Sequence, residues 1–350
     1  MPKRRMHCLT FEKGYPMSLE MNRRRFTHVS VGTAALMSAF GLNRIALAQD
    51  ASPDASPESA GVISFTEGPG EDELTVVHAQ GETVVKKNPG TIISYDVASI
   101  ETIEHLGGTL AGVPEITQEG VWESDAEIVG SLFEPDYEAV NAMAPDLIIV
   151  AGRSAAVYPD LAKIAPTIDV SFGADMVGSF AEITNTFGAI LEAEEEAAAA
   201  VAEVEDRVAT LQEAAAEAGT GMIVMVSGGS VTALAPGNAR GGRGALIYSV
   251  LGIQPPLEDI ETATHGEPIS FEFLLEHNPD WLFVIDRDSA TGGDGQPAQE
   301  VLDNEIMHET TAWQNGQVIY LDPFDWYIIS GASVPSFSRM LDEMDAAFGA

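Results

Sequence analysis

One pattern occurs twice in this chain, as YEAVNAMAPDLIIV at residues 137–150 and as FEFLLEHNPDWLFV at residues 271–284. Each copy reads as an aromatic residue and a glutamate, an amphipathic helical turn, Pro-Asp, and a continuous apolar run. An unbroken apolar run is typical of a strand covered on both faces, as in a parallel sheet flanked by helices. The repeat therefore predicts an α/β fold with two similar halves.

Other segments fit the same two-part organisation. The first half has a strand-like run at 91–96, a helical run at 97–108 and a buried strand at 146–152. The second half has a predicted helix near 244–252 and strand-like runs at 221–229, 281–286 and 317–323. We assign residues 62–190 to an N-terminal α/β lobe and residues 220–350 to a C-terminal one.

The segment between the lobes, residues 191–219, is rich in Ala and Glu and contains no Gly or Pro until Gly219. Its apolar residues recur at helical spacing, which predicts one long helix joining the two lobes. A coiled coil is a weak alternative, because the apolar seam is mostly alanine.

The N-terminal 48 residues have the pattern of an export signal. NRRRF at 22–26 places paired arginines before a phenylalanine, residues 29–42 are apolar and uncharged, and ALA at 46–48 is a small-x-small cleavage pattern. We interpret residues 1–48 as a twin-arginine export signal and the Ser/Pro/Ala-rich residues 49–61 as a disordered linker. The alternative is a chance basic start before a buried helix. The prediction places the protein in the periplasm or on the outer face of the cytoplasmic membrane, with the signal cleaved or kept as an anchor.

The charge balance singles out the arginines. The net charge is -37, which argues against nucleic acid and anionic membrane surfaces as partners. After residues 1–48 only nine Lys/Arg remain against 52 Asp/Glu. Two of these arginines, Arg153 and Arg287, follow buried strands, at the strand ends where ligands meet open α/β sheets. A structural alternative for Arg287 is an ion pair with Asp286 or Asp288.

Further candidates lie in loops of the second half. Arg243 follows a Gly-rich loop just before a helix, with Arg240 as an alternative in the same loop. His265 lies beside a glycine in the run TATHGEPISFE, and Tyr327 lies beside Trp326 before the last helix. Taken alone, a histidine or a tyrosine in such a place is more often structural than a ligand.

Four segments, in this order, carry a resemblance to a known family: GRSAAVYPDLAKIAPT, GRGALIYSVLGI, THGEPISFEFLLEHNPDWLFVIDR and NGQVIYLDPFDWYIISG. They span nearly all of residues 84–345. The chain resembles the periplasmic substrate-binding proteins of iron-siderophore ABC importers, in the branch that binds catecholate siderophores. The resemblance implies the class III periplasmic binding protein fold: two Rossmann-like lobes bridged by one long α-helix, with the ligand in the cleft and limited hinge motion.

The resemblance also implies roles for particular residues. His265 and Tyr327 correspond to the family's two direct iron ligands, and Glu138 and Glu272 to the glutamates that dock on the permease. The cationic siderophore clamp corresponds to Arg153, Arg243 and Arg287. The loop ARGGRG departs somewhat from the family pattern, and the spacing to YSVLGI favours Arg243 over Arg240.

The chemistry of these residues fits the implied cargo. Ferric iron is a hard cation that favours about six donors, of which a bis-catecholate supplies four oxygens. A phenolate and an imidazole would complete the shell, and guanidiniums would neutralise the anionic complex. Trp326 or Tyr95 could stack on a catechol ring. The glutamates have a simpler alternative reading, as exposed first-turn residues stabilised by the helix dipole.

The function expected from the sequence is a monomeric binding protein with no intrinsic cofactor. Its cargo would be a ferric siderophore and its partner an ABC permease. Within binding proteins the alternative is a haem or corrinoid carrier, for which three arginines are excessive. An exported enzyme is the alternative of another class, and no Gly-x-Ser-x-Gly, phosphate-loop or His-Glu-x-x-His motif supports it.

Overall fold

The described part of the chain begins with a small antiparallel sheet that the sequence pattern did not single out. The structure is a computed structural model that describes residues 63–116, 125–236, 243–257, 267–330 and 333–349. Its first three strands are β1 (Ser64–Glu67), β2 (Glu73–His78) and β3 (Gly81–Lys86), in the order β1-β2-β3. Leu74 and Val76 of β2 are buried in the core of the first lobe. The predicted signal and linker, residues 1–48 and 49–61, lie outside the described residues.

The first lobe is built on a parallel sheet in the order β6-β5-β4-β7-β8. Its elements in chain order are β4 (Ile92–Ser94), α1 (Val97–His105), β5 (Gly112–Val113), β6 (Glu127–Ile128), α2 (Tyr137–Met143), β7 (Leu147–Val150), α3 (Tyr158–Leu161) and β8 (Thr167–Asp169). All four residues of β7 are buried, as its unbroken apolar run predicts.

Two helices, α4 (Met176–Leu191) and α5 (Glu194–Ala215), connect the lobes. The predicted single helix over 191–219 is wrong at its start, because Glu192 is left-handed (φ 56°) and ends α4. Gly188 permits the close approach of the two helices, since a Cβ there would lie 2.5 Å from that of Ala197. Helix α5 spans both lobes: Ala197 packs in the core of the first, and Leu211 packs with residues of the second.

The second lobe contains a mixed sheet in the order β11-β10-β9-β12-β13, in which β9, β12 and β13 are parallel and β10 is antiparallel to both of its neighbours. Its elements in chain order are β9 (Gly221–Ser227), β10 (Ser230–Leu234), a π-helical turn (Ala245–Val250), β11 (Glu267–Ile269), α6 (Phe271–His277), β12 (Trp281–Asp286), α7 (Arg287–Thr291), α8 (Ala298–Leu302), a 3-10 turn (Met307–Glu309), α9 (Thr311–Gln314), β13 (Val318–Leu321), a second π-helical turn (Phe324–Ile329) and α10 (Val334–Phe348). In the described residues no helix is both long and apolar enough to cross a membrane.

The sequence repeat is also a structural repeat. Helices α2 and α6 each have seven residues and each ends at a left-handed residue, Ala144 (φ 47°) and Asn278 (φ 42°). Each is followed by the Pro-Asp pair and a buried parallel strand.

The aspartate of each Pro-Asp pair holds the entry of the neighbouring strand. Asp146 Oδ2 accepts hydrogen bonds from the backbone N–H groups of Gly90 and Thr91, both at 3.1 Å, just before β4. Asp280 Oδ2 accepts from the N–H of Thr220 at 2.8 Å, just before β9. Because β4 pairs with β7 and β9 with β12, each aspartate fixes the start of the strand beside its own.

Candidate functional site

Ion pairing separates the basic residues of the described chain into two groups. One group has carboxylate oxygens within 4.0 Å and comprises Lys86, Lys87, Lys163, Arg207 and Arg339. In the other group no carboxylate of the described residues comes that close, and this group is Arg153, Arg243 and Arg287. In a chain this acidic, three guanidiniums without an ion pair among the described residues are candidates for binding an external anion.

The three arginines converge on Tyr327, whose side chain is buried and only 7% exposed. Arg287 donates from Nε to the Tyr327 hydroxyl oxygen at 2.9 Å. The guanidinium carbon of Arg243 lies 4.2 Å from the centre of the tyrosine ring. Arg153, from the first lobe, donates from Nη2 to the backbone carbonyl oxygens of Tyr327, at 3.4 Å, and of Ile328. The site therefore joins the two lobes.

Arg287 is held at the end of β12 by hydrogen bonds rather than by its flanking acids. Its Nη1 donates to Ser227 Oγ at 3.0 Å, and that hydroxyl donates to Asp288 Oδ1 at 2.9 Å. Asp286 caps α7 instead, accepting from the N–H of Ser289 at 3.0 Å. The hydrogen bond to Tyr327 raises the pKa of Arg287 above its usual value. Asp288 thus helps to orient the guanidinium through Ser227 without forming an ion pair with it.

Arg243 is the most desolvated of the three. Its Nε is buried and has no hydrogen-bond partner among the described residues. Burial lowers the pKa of its guanidinium from the usual value, and the charges of Arg153 and Arg287 lower it further, while Tyr327 opposes this shift. A buried cation beside two like charges is stabilised by an anion that accepts its free donor.

Tyr327 lies in the π-helical turn 324–329, and Arg243 lies just ahead of the other one, 245–250. Turns of this type are rare and frequently occur at functional sites. The sequence predicts an ordinary helix near 244–252, whereas the structure has the wider π-helical turn there. The i→i+5 spacing is set by packing, which single-sequence periodicity does not report.

The two aromatic residues predicted to stack on a ligand are core residues in this structure. Trp326 is 0% exposed and donates from Nε1 to the Glu343 carboxylate. Tyr95 is 1% exposed, and its hydroxyl donates to the Val129 carbonyl at 2.7 Å. Because neighbouring side chains cover both rings, the prediction that Trp326 or Tyr95 stacks on a catechol is not met by their positions.

The remaining predicted residues fall in two places. His265 and Arg240 lie outside the described residues, so their predicted roles stay predictions. Glu138 and Glu272 are exposed, each at the second position of its helix, α2 or α6. They occupy equivalent places in the two lobes.

Comparison with known proteins matches the family model described as "Periplasmic binding protein" over residues 92–323. The chain belongs to this family. It is 33% identical over 283 residues to the petrobactin-binding protein YclQ of Bacillus subtilis, covering 78% of this chain and 87% of the relative.

Two solved structures are similar along most of their length. A TroA-like periplasmic binding protein from Xylanimonas cellulosilytica has 45% identity and a TM-score of 0.71, covering 77% of this chain and 92% of that one. The periplasmic catecholate-siderophore binding protein VctP from Vibrio cholerae has 29% identity and a TM-score of 0.72, covering 78% and 99%. The predicted class III periplasmic binding protein fold is confirmed, with α4 and α5 at the connection where the sequence predicted one helix.

Proposed function

We propose that this protein is an extracytoplasmic solute-binding protein that captures ferric catecholate siderophores and delivers them to an ABC permease. Relatives whose names specify petrobactin and catecholate siderophores as ligands support this assignment. The observation that carries it is the convergence of three arginines without carboxylate partners, among the described residues, on one buried tyrosine.

The charge of the cargo matches this convergence. Catecholates bound to iron are deprotonated, so their ferric complexes are anions with several acceptor oxygens. Guanidiniums pair with such oxygens through short, charge-assisted hydrogen bonds. In the proposed complex Arg153, Arg243 and Arg287 turn their donors to the catecholate oxygens. Arg243 Nε, which is buried and has no hydrogen-bond partner in the described part of the chain, gains an acceptor.

Tyr327 is the proposed protein ligand to the iron of the cargo. A tyrosine must lose its proton to bind Fe³⁺, and its ordinary pKa is about 10. Arg287 Nε already donates to the phenol oxygen at 2.9 Å, and the guanidinium carbon of Arg243 lies 4.2 Å from the ring centre, so two cationic side chains surround the proposed ligand. His265 is the proposed second ligand, as the family resemblance implies. The iron enters and leaves with the siderophore, and no intrinsic cofactor is proposed.

Delivery requires contact with a permease. We assign this role to Glu138 and Glu272, whose equivalent exposed positions on α2 and α6 give one carboxylate per lobe. Residues 1–48 are the proposed twin-arginine export signal. Export in the folded state suits a two-lobed protein whose ligand site is shared between lobes.

A ligand screen tests the assignment. Tryptophan fluorescence of the purified protein is titrated with ferric bis-catecholates, ferric tris-catecholates, ferric hydroxamates and haem. We expect tight quenching by the ferric catecholates. Quenching by haem without quenching by any ferric catecholate would overturn the proposal.

A further inference from the structure

The turn that carries Tyr327 is tied to the last helix by a buried carboxylate. Asp325, two residues before Tyr327, is 3% exposed. Arg339 of α10 binds it in a fork, with Nε at 2.8 Å from Oδ2 and Nη2 at 2.5 Å from Oδ1. Two parallel N–H···O bonds fix both the distance and the orientation of the carboxylate.

The same arginine also reaches the other lobe. Its Nη2 donates to Glu101 Oε1 at 3.0 Å, and Glu101 belongs to α1 of the first lobe. The other oxygen of Glu101 accepts from the hydroxyl of Ser333, which caps the start of α10. Glu101, Arg339 and Asp325 thus form a chain of charges from the first lobe to the Tyr327 turn. We call these three residues the cross-lobe triad.

A second contact holds the turn one helical step further along α10. Glu343 accepts from Trp326 Nε1 and from the backbone N–H of Asp322, the latter at 2.8 Å. The two residues immediately before Tyr327 are therefore both anchored to α10. A backbone hydrogen bond from the Ser330 N–H to the Asp325 carbonyl oxygen, at 2.7 Å, spans the part of the turn that contains Tyr327.

We propose that Arg339 is a positioning residue for Tyr327, and that Glu101 holds Arg339 so that the position of the phenol depends on contact between the lobes. Without its guanidinium, Asp325 would be a buried and unpaired carboxylate, so the turn would have to rearrange. Asp325 is two residues before Tyr327 in the same turn, so its rearrangement would displace the tyrosine, whose hydroxyl lies 2.9 Å from Arg287 Nε. The contacts above position Tyr327, and the consequence for iron binding rests on the proposed function.

Arg207 offers a matched control. It also binds two carboxylates of α10, Asp342 and Asp345, each at 2.6 Å, but its contacts join α5 to α10 and do not reach the Tyr327 turn. Hydrogen exchange of the ligand-free protein is measured for wild type, Arg339→Gln, Glu101→Gln and Arg207→Gln. We expect peptides covering residues 322–330 to lose protection at least about fivefold in Arg339→Gln, less in Glu101→Gln, and not in Arg207→Gln. Equal protection of this segment in Arg339→Gln and Arg207→Gln overturns the proposal.

Ligand binding supplies the second readout. The phenolate-to-iron absorption band is recorded with the ferric complex of a synthetic tetradentate bis-catecholate. Arg339→Gln should weaken or shift the band and reduce affinity about tenfold, and Arg339→Lys should recover part of both. An unchanged band and affinity in Arg339→Gln contradicts the positioning role. If wild type binds none of the ferric catecholates, the proposed function fails, and hydrogen exchange still decides the positioning claim. If Arg339→Gln does not fold, the proposal is tested by comparing hydrogen exchange of residues 322–330 in Glu101→Gln and in Arg207→Gln.

Discussion

Arg287 and Tyr327 are joined by a 2.9 Å hydrogen bond from the guanidinium Nε to the phenol oxygen. The bond connects the residue that follows β12 with the π-helical turn 324–329, which precedes α10. Because Arg287 is the donor, the tyrosine oxygen accepts, and this arrangement persists when the phenol loses its proton. This geometry is compatible with the iron-ligand role proposed for Tyr327.

Replacement of Tyr327 tests that role. Tyr327→Phe removes the proposed iron ligand and keeps the ring beneath Arg243. We expect the phenolate-to-iron band to vanish and affinity for a tetradentate ferric bis-catecholate to fall at least about tenfold. Affinity for a hexadentate complex should change less than about threefold, because its own donors fill the iron shell. Equal losses for both ligands would remove the claim of direct coordination.

The clamp arginines should matter for every anionic ferric complex, whatever its denticity. Hydrogen bonds to charged groups contribute about 1.5–3 kcal/mol each, so Arg243→Gln and Arg287→Gln are each expected to weaken binding about ten- to a hundredfold. Fluorescence titration measures the change. Lys163→Gln, which removes an exposed charge paired with Asp160, should leave affinity unchanged. If Lys163→Gln and Arg243→Gln reduced affinity equally, general electrostatic attraction rather than direct contact with the arginines would explain binding.

Much of the fold was readable in the sequence because the strands are short, buried and continuous. The predicted strand 281–286 coincides with β12, and the run 146–152 contains β7. The prediction of one helix over 191–219 is wrong at its start because Glu192 lies in a segment rich in Ala and Glu, where the composition does not indicate a break. Only its left-handed backbone, set by the packing of α4 against α5, marks the break.

The site was partly predictable for a different reason. Arginines are scarce in this acidic chain, so each was a candidate, and the structure brings three of them to Tyr327. The cross-lobe triad was missed because its members are far apart in sequence and no local pattern joins Glu101 to Arg339. The scarcity of basic residues is the sequence feature that could have drawn attention to Arg339. Burial of Trp326 and Tyr95 depends on tertiary packing, which aromatic identity alone does not report.

The aspartates of the two Pro-Asp pairs, Asp146 and Asp280, should contribute independently to the free energy of unfolding. Asp280→Ala leaves the N–H and hydroxyl of the half-buried Thr220 without their charged acceptor, and we expect this to cost about 1–3 kcal/mol. Asp146→Ala removes the acceptor of Gly90 and Thr91 and the ion pair with Lys86, and its cost should add to that of Asp280→Ala because the two sites share no partner. Urea unfolding measures both. Asp160→Ala, at an exposed ion pair, should cost less than about 0.5 kcal/mol. A similarly small cost for Asp280→Ala would show that Asp280 does not stabilise the start of β9.

The proposed docking glutamates should affect delivery and not capture. Glu138→Lys and Glu272→Lys are expected to reduce ligand-stimulated ATP hydrolysis by the permease in liposomes at least about fivefold, since each reverses a charge at the interface. Affinity for the ferric catecholate should not change. Glu276→Lys, also exposed on α6, is the control. Equal inhibition by Glu276→Lys would indicate loss of overall negative charge rather than docking at Glu272.

Acidification should weaken the fold through His78, which is 5% exposed. Its Nδ1 accepts from the backbone N–H groups of Gln80, at 3.2 Å, and Asp169, at 3.4 Å, so protonation there would face two donors. Burial lowers the pKa of His78 below its usual value, with Asp169 opposing. The unfolded chain therefore binds more protons below a pH of about 6.5, and stability falls as the pH drops through that value toward the lower folded pKa.

Urea midpoints of wild type and His78→Asn between pH 7.5 and 5.5 measure this contribution, since the comparison cancels the titration of the many carboxylates. The stability advantage of wild type should shrink on acidification, by up to about 1.4 kcal/mol between pH 6.5 and 5.5. A difference between the two proteins that stays constant across this range would show that His78 does not titrate differently in the folded and unfolded states.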